Sequence, residues 1–352
     1  MNHQFLDLMR AATRLTNTSR LTEAARAVKR ALALHGAPAS SAAGAPPLKR
    51  HGGLFAPAAR PSIAPRSGEA FIDGMHTHGS LKRAYKLFVP PNAVGRRLPL
   101  VVMLHGCTQD PDDFAAGTGM NARARDQGFY VLYPAQSLDA NPSRCWNWFK
   151  HTHQRRGSGE AGLIADLTGA IVRRHGIDSQ RVYIAGLSAG GAMAAIVAAT
   201  HPEIYAAVGV HSGLAVGAAS DLGEALNAMR SGAAPAAPTP TVVPTIVFHG
   251  DEDTTVHPRN GEHLISAAAL ASSASQVEPG VSAGGRHYTR QTYQGEHGRA
   301  VAEHWLVHGA GHAWSGGHSA GSYTDAKGPD ATAEMLRFFF AQTSHRPAGA
   351  HA

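Results

Sequence analysis

Short apolar runs alternate with longer amphipathic stretches through most of the chain, beginning near residue 98. The runs have the length and residue types of buried strands, and the stretches between them have the length of helices. Strands are predicted at 98–106, 129–134, 181–186, 206–213, 244–250 and 302–309. Helices are predicted near 111–127, 159–175, 190–201, 221–230, 258–272 and 330–342. This alternation predicts an α/β fold with a mostly parallel central sheet and helices on both faces.

The residues before this pattern have a different texture. Apolar residues between positions 5 and 34 recur at the i, i+4, i+7 and i+11 spacing of one helix face, which predicts a helical leader over 1–34. A Pro/Ala/Gly-rich stretch over 35–66 predicts a flexible linker. The main domain is predicted over 67–345 and a disordered tail over 346–352. "FIDGMHTHG" and "LKRAYKLFVP", near the start of the main domain, are predicted antiparallel edge strands.

Composition is that of a soluble globular protein, with 43% apolar and 16% charged residues among 352 and no apolar run long enough to span a membrane. The net charge of +7 comes from residues 1–66, which hold 10 of the 32 basic and 2 of the 25 acidic residues. A basic leader can contact nucleic acid or an anionic membrane, but a solvated helical face explains the same charge. We therefore predict no nucleic-acid partner and no membrane partner, and the oligomeric state stays open.

The pattern Gly-x-Ser-x-Gly occurs twice, as "GLSAG" at 186–190 and "GHSAG" at 317–321. A nucleophilic serine in this pattern sits on a sharp turn between a strand and a helix, where its hydroxyl is exposed above the sheet. Ser188 has a predicted strand before it and a helix-forming, small-residue stretch after it. Ser319 has neither. We therefore predict that Ser188 is the nucleophile.

A serine of this kind needs an acid and a histidine later in the chain. Asp253 follows the predicted strand 244–250, and His312 follows the predicted strand 302–309. The carboxyl ends of parallel strands meet at one edge of a sheet, where sites assemble. His312 would take the hydroxyl proton and Asp253 would orient it. Asp251 is the alternative acid, although it can equally organise the turn.

Metal chemistry is not predicted, and neither is a cofactor. His304, His308 and His312 recur every fourth residue, as ligands on a helix can, but Gly309 and Gly311 interrupt any helix there. The chain has only two cysteines, too few for a structural zinc site. Their oxidation state stays open between a disulfide and two reduced, buried thiols.

Acyl transfer also requires two backbone donors for the oxyanion that forms on the attacked carbonyl. The amide of Ala189, directly after the proposed nucleophile, is predicted to be one. The other is predicted in the loop after strand 98–106, at the amide of Cys107. Trp146, Trp148 and Trp314 lie in segments near this site and are interpreted either as an aromatic wall for substrate or as core residues.

The chain resembles the poly(3-hydroxybutyrate) depolymerase-like esterases, an α/β-hydrolase family that is similar to feruloyl and acetylxylan esterases. The matching stretches are "LHGCTQDPDDFAAGTGMNARARDQGFYVLYP", "NPSRCWNWF", "GLSAGGAMAA", "HGDEDTTVHP", "GHAWSGG" and "GSYTDAKGPDAT". They extend through nearly all of residues 80–340. The resemblance implies an α/β-hydrolase catalytic domain and a serine esterase with Ser188, Asp253 and His312 as its triad.

The same resemblance implies oxyanion stabilisation near Cys107 and a Cys107–Cys145 disulfide. It implies a substrate among hydroxyalkanoate oligomers, polyesters or short-chain esters. A feruloyl or acetylxylan esterase is the alternative, and a non-catalytic binding protein of the same fold is an alternative of another class. Family members are commonly exported, which implies an extracellular enzyme. The N-terminal residues lack the apolar core and cleavage site of a signal peptide, so the cytoplasm is the alternative location.

Overall fold

The computed structural model describes residues 68–232 and 243–344. The predictions of a helical leader over 1–34, a linker over 35–66 and a tail over 346–352 lie outside the described residues.

The described residues form one large sheet of ten strands and one small sheet of two. The large sheet has the order β1-β2-β4-β3-β5-β6-β7-β10-β9-β8. Its strands are β1 (Ala70–His78), β2 (Leu81–Val89), β3 (Leu100–Leu104), β4 (Tyr130–Pro134), β5 (Val182–Leu187), β6 (Ala207–His211), β7 (Thr245–Gly250), β8 (Ala274–Val281), β9 (His287–Gln294) and β10 (Ala300–Val307). The small sheet pairs β11 (Trp314–Ser315) with β12 (Thr324–Asp325) in parallel.

The centre of the large sheet is parallel and its two edges are antiparallel. Strands β4, β3, β5, β6, β7 and β10 run in one direction. The hairpin β1–β2 joins one edge, and the hairpin β8–β9 joins the other. The carboxyl ends of the six central strands therefore share one edge, where loops bring side chains together.

Helices cover both faces of the sheet because alternate residues of each buried strand point to opposite sides. The helices are α1 (Pro111–Thr118), α2 (Met120–Gln127), α3 (Gly159–His175), α4 (Ala189–Thr200), α5 (Leu222–Ser231), α6 (Arg259–Ala268) and α7 (Ala331–Phe340). On β3, Val102 packs in the core beneath α3 and α4, whereas Val101 packs in the core that includes residues of α1, α2 and α7.

The predicted α/β fold is confirmed, and each of the six predicted buried strands is present within a few residues of its predicted bounds. The predicted helix at 111–127 is two helices, because Gly119 adopts the left-handed conformation (φ 64°) and ends α1. The hairpin β8–β9 was not predicted. Its strand β8 is exposed along most of its length, so it lacks the apolar run by which buried strands were recognised. Within the described residues, no helix is long and apolar enough to cross a membrane.

Candidate active site

Ser188 occupies the turn between β5 and α4, directly after the last residue of the strand and before the first residue of the helix. Its backbone has φ 57° and ψ −121°, a conformation that non-glycine residues rarely adopt and that costs about 1–3 kcal/mol. The Ser188 amide donates to the carbonyl of His211 on β6 (2.8 Å), which anchors the strained turn to the neighbouring strand. Ser188 is 8% exposed.

The glycines on either side of Ser188 explain why the chain can turn so sharply here. A Cβ on Gly186 would lie 2.4 Å from the carbonyl carbon of Gly190. A Cβ on Gly190 would lie 2.1 Å from the carbonyl oxygen of Leu104, at the end of β3. Since both contacts are with backbone atoms that cannot move aside cheaply, any side chain at either position would open the turn.

The second Gly-x-Ser-x-Gly sequence has a different role. Ser319 is exposed in a turn between β11 and β12. A Cβ on Gly321 would lie 2.4 Å from Gly117 of α1, and a Cβ on Gly317 would lie 2.8 Å from Thr324. These glycines therefore let a loop pack closely against a helix, and they do not form a strand–helix turn.

Asp253 and His312 are brought together by the loops after β7 and β10. Asp253 Oδ2 accepts a hydrogen bond from His312 Nδ1 at 2.7 Å. Asp253 Oδ1 accepts from the amides of Thr255 (2.9 Å) and Val256 (2.8 Å). Burial alone would raise the pKa of Asp253, but the interaction with His312 and hydrogen bonds from His249 and His312 outweigh burial and hold that pKa well below its ordinary value. Asp253 is therefore an ionised, oriented carboxylate.

Asp251 is engaged elsewhere, at the same end of the sheet. Its Oδ2 accepts from His308 Nδ1 (2.8 Å), and its Oδ1 accepts from the Gly309 amide (2.7 Å). These contacts fix the turn that follows β10, which leads to His312. The contacts of Asp251 support its interpretation as a residue that organises the turn.

His211, which was not singled out from the sequence, links the serine turn to the loop after His312. Its carbonyl accepts from the Ser188 amide, and its Nε2 accepts from the Ser315 amide (2.9 Å). Burial, with smaller contributions from the neighbouring His249 and His312, lowers the pKa of His211 to about 3, so its ring is neutral at pH 7. The sequence could not predict this role, because nothing distinguishes His211 from the other 21 histidines before the fold is known.

The two predicted oxyanion donors flank the same turn. Ala189 is the first residue of α4, and Cys107 lies in the loop after β3, where it is bonded to Cys145. A Cβ on Gly106 would lie 3.5 Å from the Leu187 carbonyl, which places the Cys107 loop beside Ser188. The disulfide implied by the family resemblance is therefore present.

The buried carboxylate of Glu160 is linked by hydrogen bonds to the residue that precedes the Cys107 loop. Glu160, at the start of α3, accepts from the amide of Asn147 (2.7 Å), from Gln136 Nε2 (2.6 Å) and from Arg83. Gln136 in turn donates its backbone amide to His105 Nε2 (3.1 Å), directly before the loop. Burial alone would raise the pKa of Glu160, but hydrogen bonds from neighbouring side chains and from the Asn147 backbone lower it to about 2.

This network was not predicted, because its members lie in four separate segments whose contact no short pattern reveals. It connects β2, the residues that follow β4, the segment after the second cysteine and α3. Since a buried charge is tolerated only when it is paired and hydrogen-bonded, the members of the network fix one another.

Trp146, Trp148 and Trp314 are 0%, 4% and 1% exposed. Trp146 lies 5.7 Å from the His105 ring, and Trp314 lies 5.2 Å from the His211 ring in a stacked arrangement. All three side chains are therefore buried, which supports their interpretation as core residues. Their interpretation as an aromatic wall for substrate stays a prediction.

Within residues 68–232 and 243–344, no group of three or more His, Cys, Asp or Glu side chains is arranged to hold a metal ion. In the same residues, the Ser188 hydroxyl makes no hydrogen bond to His312, whose ring is bonded to Asp253.

Comparison with solved structures identifies the class of fold. The chain matches the acetyl xylan esterase from Aspergillus awamori with a TM-score of 0.60 and 18% sequence identity, over 77% of this chain and 99% of that one. A mostly parallel sheet covered by helices, with a serine on a strand–helix turn, is the α/β-hydrolase fold.

The family is identified from the sequence match. The family described as esterase PHB depolymerase matches residues 83–278, more than half of the chain. The chain therefore belongs to the esterase PHB depolymerase family, which confirms the resemblance predicted from its motifs.

Two curated proteins are similar to this chain in sequence. The chain is 32% identical over 238 residues to poly(3-hydroxyalkanoate) depolymerase C of Paucimonas lemoignei, a match that covers 63% of this chain and 56% of that protein. It is 28% identical over 195 residues to probable acetylxylan esterase A of Neosartorya fischeri, covering 49% and 51% respectively. The chain thus spans about half the length of these relatives.

Proposed function

We propose that this protein is a serine esterase that cleaves carboxylic esters through an acyl-enzyme. The observation that carries the proposal is the buried, ionised Asp253 bonded to His312 Nδ1, at the same sheet edge as a serine held in a strained strand–helix turn. A carboxylate on Nδ1 fixes the tautomer in which Nε2 is free to accept a proton. Family membership supports the same chemistry.

In the proposed first half-reaction, Ser188 Oγ attacks the ester carbonyl carbon while His312 Nε2 takes the hydroxyl proton. The Cys107 and Ala189 amides donate to the oxyanion. As the intermediate collapses, the carbon–oxygen bond to the alcohol breaks, and the imidazolium protonates the departing alkoxide. Water then attacks the acyl-enzyme by the same route and releases the acid and Ser188. Catalytic hydrogen bonds are often long without substrate and tighten when it binds, and we assign the Ser188–His312 contact to that step.

The proposed substrates are hydroxyalkanoate oligomers, polyesters or short-chain esters. The match to poly(3-hydroxyalkanoate) depolymerase C favours them. Acetylxylan or feruloyl esters are the second candidate, because a probable acetylxylan esterase matches a similar portion of the chain. A substrate panel of 3-hydroxybutyrate oligomers, feruloyl esters and acetylated xylan, compared by kcat/KM, separates the two candidates.

Replacement of each serine tests the nucleophile. Ser188→Ala should abolish hydrolysis of a p-nitrophenyl short-chain ester, whereas the matched control Ser319→Ala should retain most of it. A fluorophosphonate probe should label the wild-type protein and Ser319→Ala but not Ser188→Ala. Equal loss of activity in both variants, with circular dichroism showing both folded, would contradict the assignment. A wild-type protein that neither hydrolyses any ester of the panel nor accepts the probe would favour a non-catalytic binding protein.

A further inference from the structure

His249 is a buried histidine that the proposed mechanism does not use. It lies on β7, one residue before the strand ends, and its side chain is fully buried. Its ring packs against Gly261 of α6, where an added Cβ would lie 2.9 Å from His249 Nδ1. Asp253 follows four residues later, so His249 lies directly behind the loop that carries the proposed catalytic acid.

The contacts of His249 define which of its nitrogens carries the proton. Its Nε2 lies 2.8 Å from the carbonyl oxygen of Val256 and 3.5 Å from Asp253 Oδ2. A carbonyl and an ionised carboxylate only accept hydrogen bonds, so Nε2 is the donor. His249 Nδ1 is buried without a partner, as is Nε2 of the neighbouring His304.

The hydrogen bond from His249 to Val256 completes a closed set of hydrogen bonds around the Asp253 carboxylate. Asp253 Oδ1 accepts from the amides of Thr255 and Val256, and the carbonyl of Val256 accepts from His249. The loop from Asp253 to Val256 is thus held by hydrogen bonds to the Asp253 side chain and to His249 of β7. Asp253 Oδ2 faces two imidazoles, with His312 Nδ1 hydrogen-bonded at 2.7 Å and His249 Nε2 at 3.5 Å.

We propose that His249 is a positioning residue of the active site, whose Nε2–H holds the Asp253 loop through Val256 and presents a dipole to Oδ2, so that the carboxylate keeps its orientation toward His312. This inference rests on the proposed function. The titratable groups around the ring are His211 on β6, His304 on β10, Asp253 and His312, while α6 contributes the uncharged Gly261. Because His211 and His304 have pKa values lowered to about 3 and about 4 by burial, both are neutral near pH 7.

Two variants with an amide side chain distinguish a hydrogen-bonding role of His249 from a role in packing alone. In His249→Gln, the side-chain amide nitrogen can occupy the place of Nε2 and restore the donor. In His249→Asn, the amide nitrogen falls at the place of Nδ1, where no partner exists. We expect His249→Gln to keep kcat within about threefold and His249→Asn to lose about 10- to 100-fold, with KM nearly unchanged in both, since small misplacements of catalytic groups cost up to about 10² in rate.

The acidic limb of the profile of kcat/KM against pH is a second measurement, and a change in packing alone would not shift it. In His249→Asn, the loss of the Nε2–H donor changes both the charge around Asp253 Oδ2 and the orientation of that carboxylate toward His312. We expect the limb to shift in His249→Asn and to stay in place in His249→Gln. His304→Leu, which alters packing beside His249 without touching Asp253, should lower the melting temperature and leave the limb in place.

A spectroscopic measurement makes the result independent of turnover. The proton shared by His312 Nδ1 and Asp253 can be followed by ¹H NMR at low field. It should be unchanged in His249→Gln and shifted or lost in His249→Asn. Equal effects of the two variants on this proton and on the pH limb would overturn the role of His249. An intact proton pattern in a protein that hydrolyses no ester would instead overturn the proposed function.

Discussion

His308 Nδ1 lies 2.8 Å from Asp251 Oδ2, so a second carboxylate–imidazole pair stands beside the Asp253–His312 pair at the same end of the sheet. The two pairs use neighbouring residues of the same two loops. They differ in what lies on the other side of the imidazole, because His308 Nε2 bonds Thr289 of β9 (2.8 Å). The Asp251–His308 pair is therefore hydrogen-bonded to an edge strand, and we infer that it stabilises the structure.

Replacing each acid in turn tests this distinction. Asp253→Asn should lower kcat by about 10³–10⁴, because an amide in place of the carboxylate no longer fixes the reactive tautomer of His312. Asp251→Asn should lower the melting temperature and keep kcat within about tenfold, since it loosens only the turn. Steady-state kinetics and thermal unfolding of both variants make the comparison. A larger loss of kcat in Asp251→Asn would reverse the assignment of the acid.

The serine turn should be intolerant of the smallest side chain. Gly190→Ala places a methyl group 2.1 Å from the Leu104 carbonyl, and we expect a loss of about 1–3 kcal/mol in the free energy of unfolding together with loss of activity. Gly169→Ala is the matched control, because the added methyl on α3 meets only the mobile end of Arg173. The control should be neutral or stabilising by up to about 1 kcal/mol. Urea unfolding monitored by fluorescence measures both.

The Cys107–Cys145 disulfide should contribute to both stability and rate. It joins residues 38 apart in the chain, for which the chain-entropy model gives a stabilisation of about 3–4 kcal/mol. The double variant Cys107→Ala/Cys145→Ala should lose about that much, and its kcat should fall because the Cys107 amide is no longer held beside Ser188. Adding reductant to the wild-type protein should lower its melting temperature but leave the double variant unaffected. An identical response of the two proteins to reductant would contradict this expectation.

Acid should destabilise the fold well before ordinary carboxylates titrate. Burial lowers the pKa values of His105 and His304 to about 4 and that of His211 to about 3, whereas the unfolded chain protonates these rings near 6.5. Between these values the unfolded state binds more protons than the folded state, so the free energy of unfolding falls as pH falls. Each ring contributes about 1.4 kcal/mol per pH unit in that window.

Chemical unfolding at pH 7.5, 6 and 5 measures this slope. The contribution is absent above about pH 7, where the rings are neutral in both states, and grows toward pH 4. His304→Leu should flatten the slope by roughly one proton. A free energy of unfolding that does not change between pH 7.5 and 5 would contradict the neutral, buried state of these rings.

The central sheet and the serine turn could be predicted because their signals are local. Five residues around Ser188, with a strand before them and a helix after them, suffice to predict the turn. Glu160 could not be predicted as a buried anchor, because its partners at positions 83, 136 and 147 meet it only in the fold. The tryptophans near the site could not be assigned from the sequence, since the same residue type serves in a substrate wall and in a core.

The hairpin β8–β9 was missed for a related reason. Its segment "ASQVEPGV" contains a proline and a glycine and few apolar residues, because both of its faces are largely exposed. The periodicity of apolar residues reveals only buried elements, and this edge strand is mostly exposed. Site residues that directly follow buried strands are thus easier to predict than the exposed edge of the same sheet.

The exposed position of Ser319 has a practical consequence for studying this protein. Both natural cysteines are consumed in one disulfide, so Ser319→Cys would introduce a single free thiol. A dye or spin label attached there would sit on the solvent side of a loop fastened to α1 by close glycine packing. The second Gly-x-Ser-x-Gly sequence thereby offers an attachment point that leaves Ser188 unchanged.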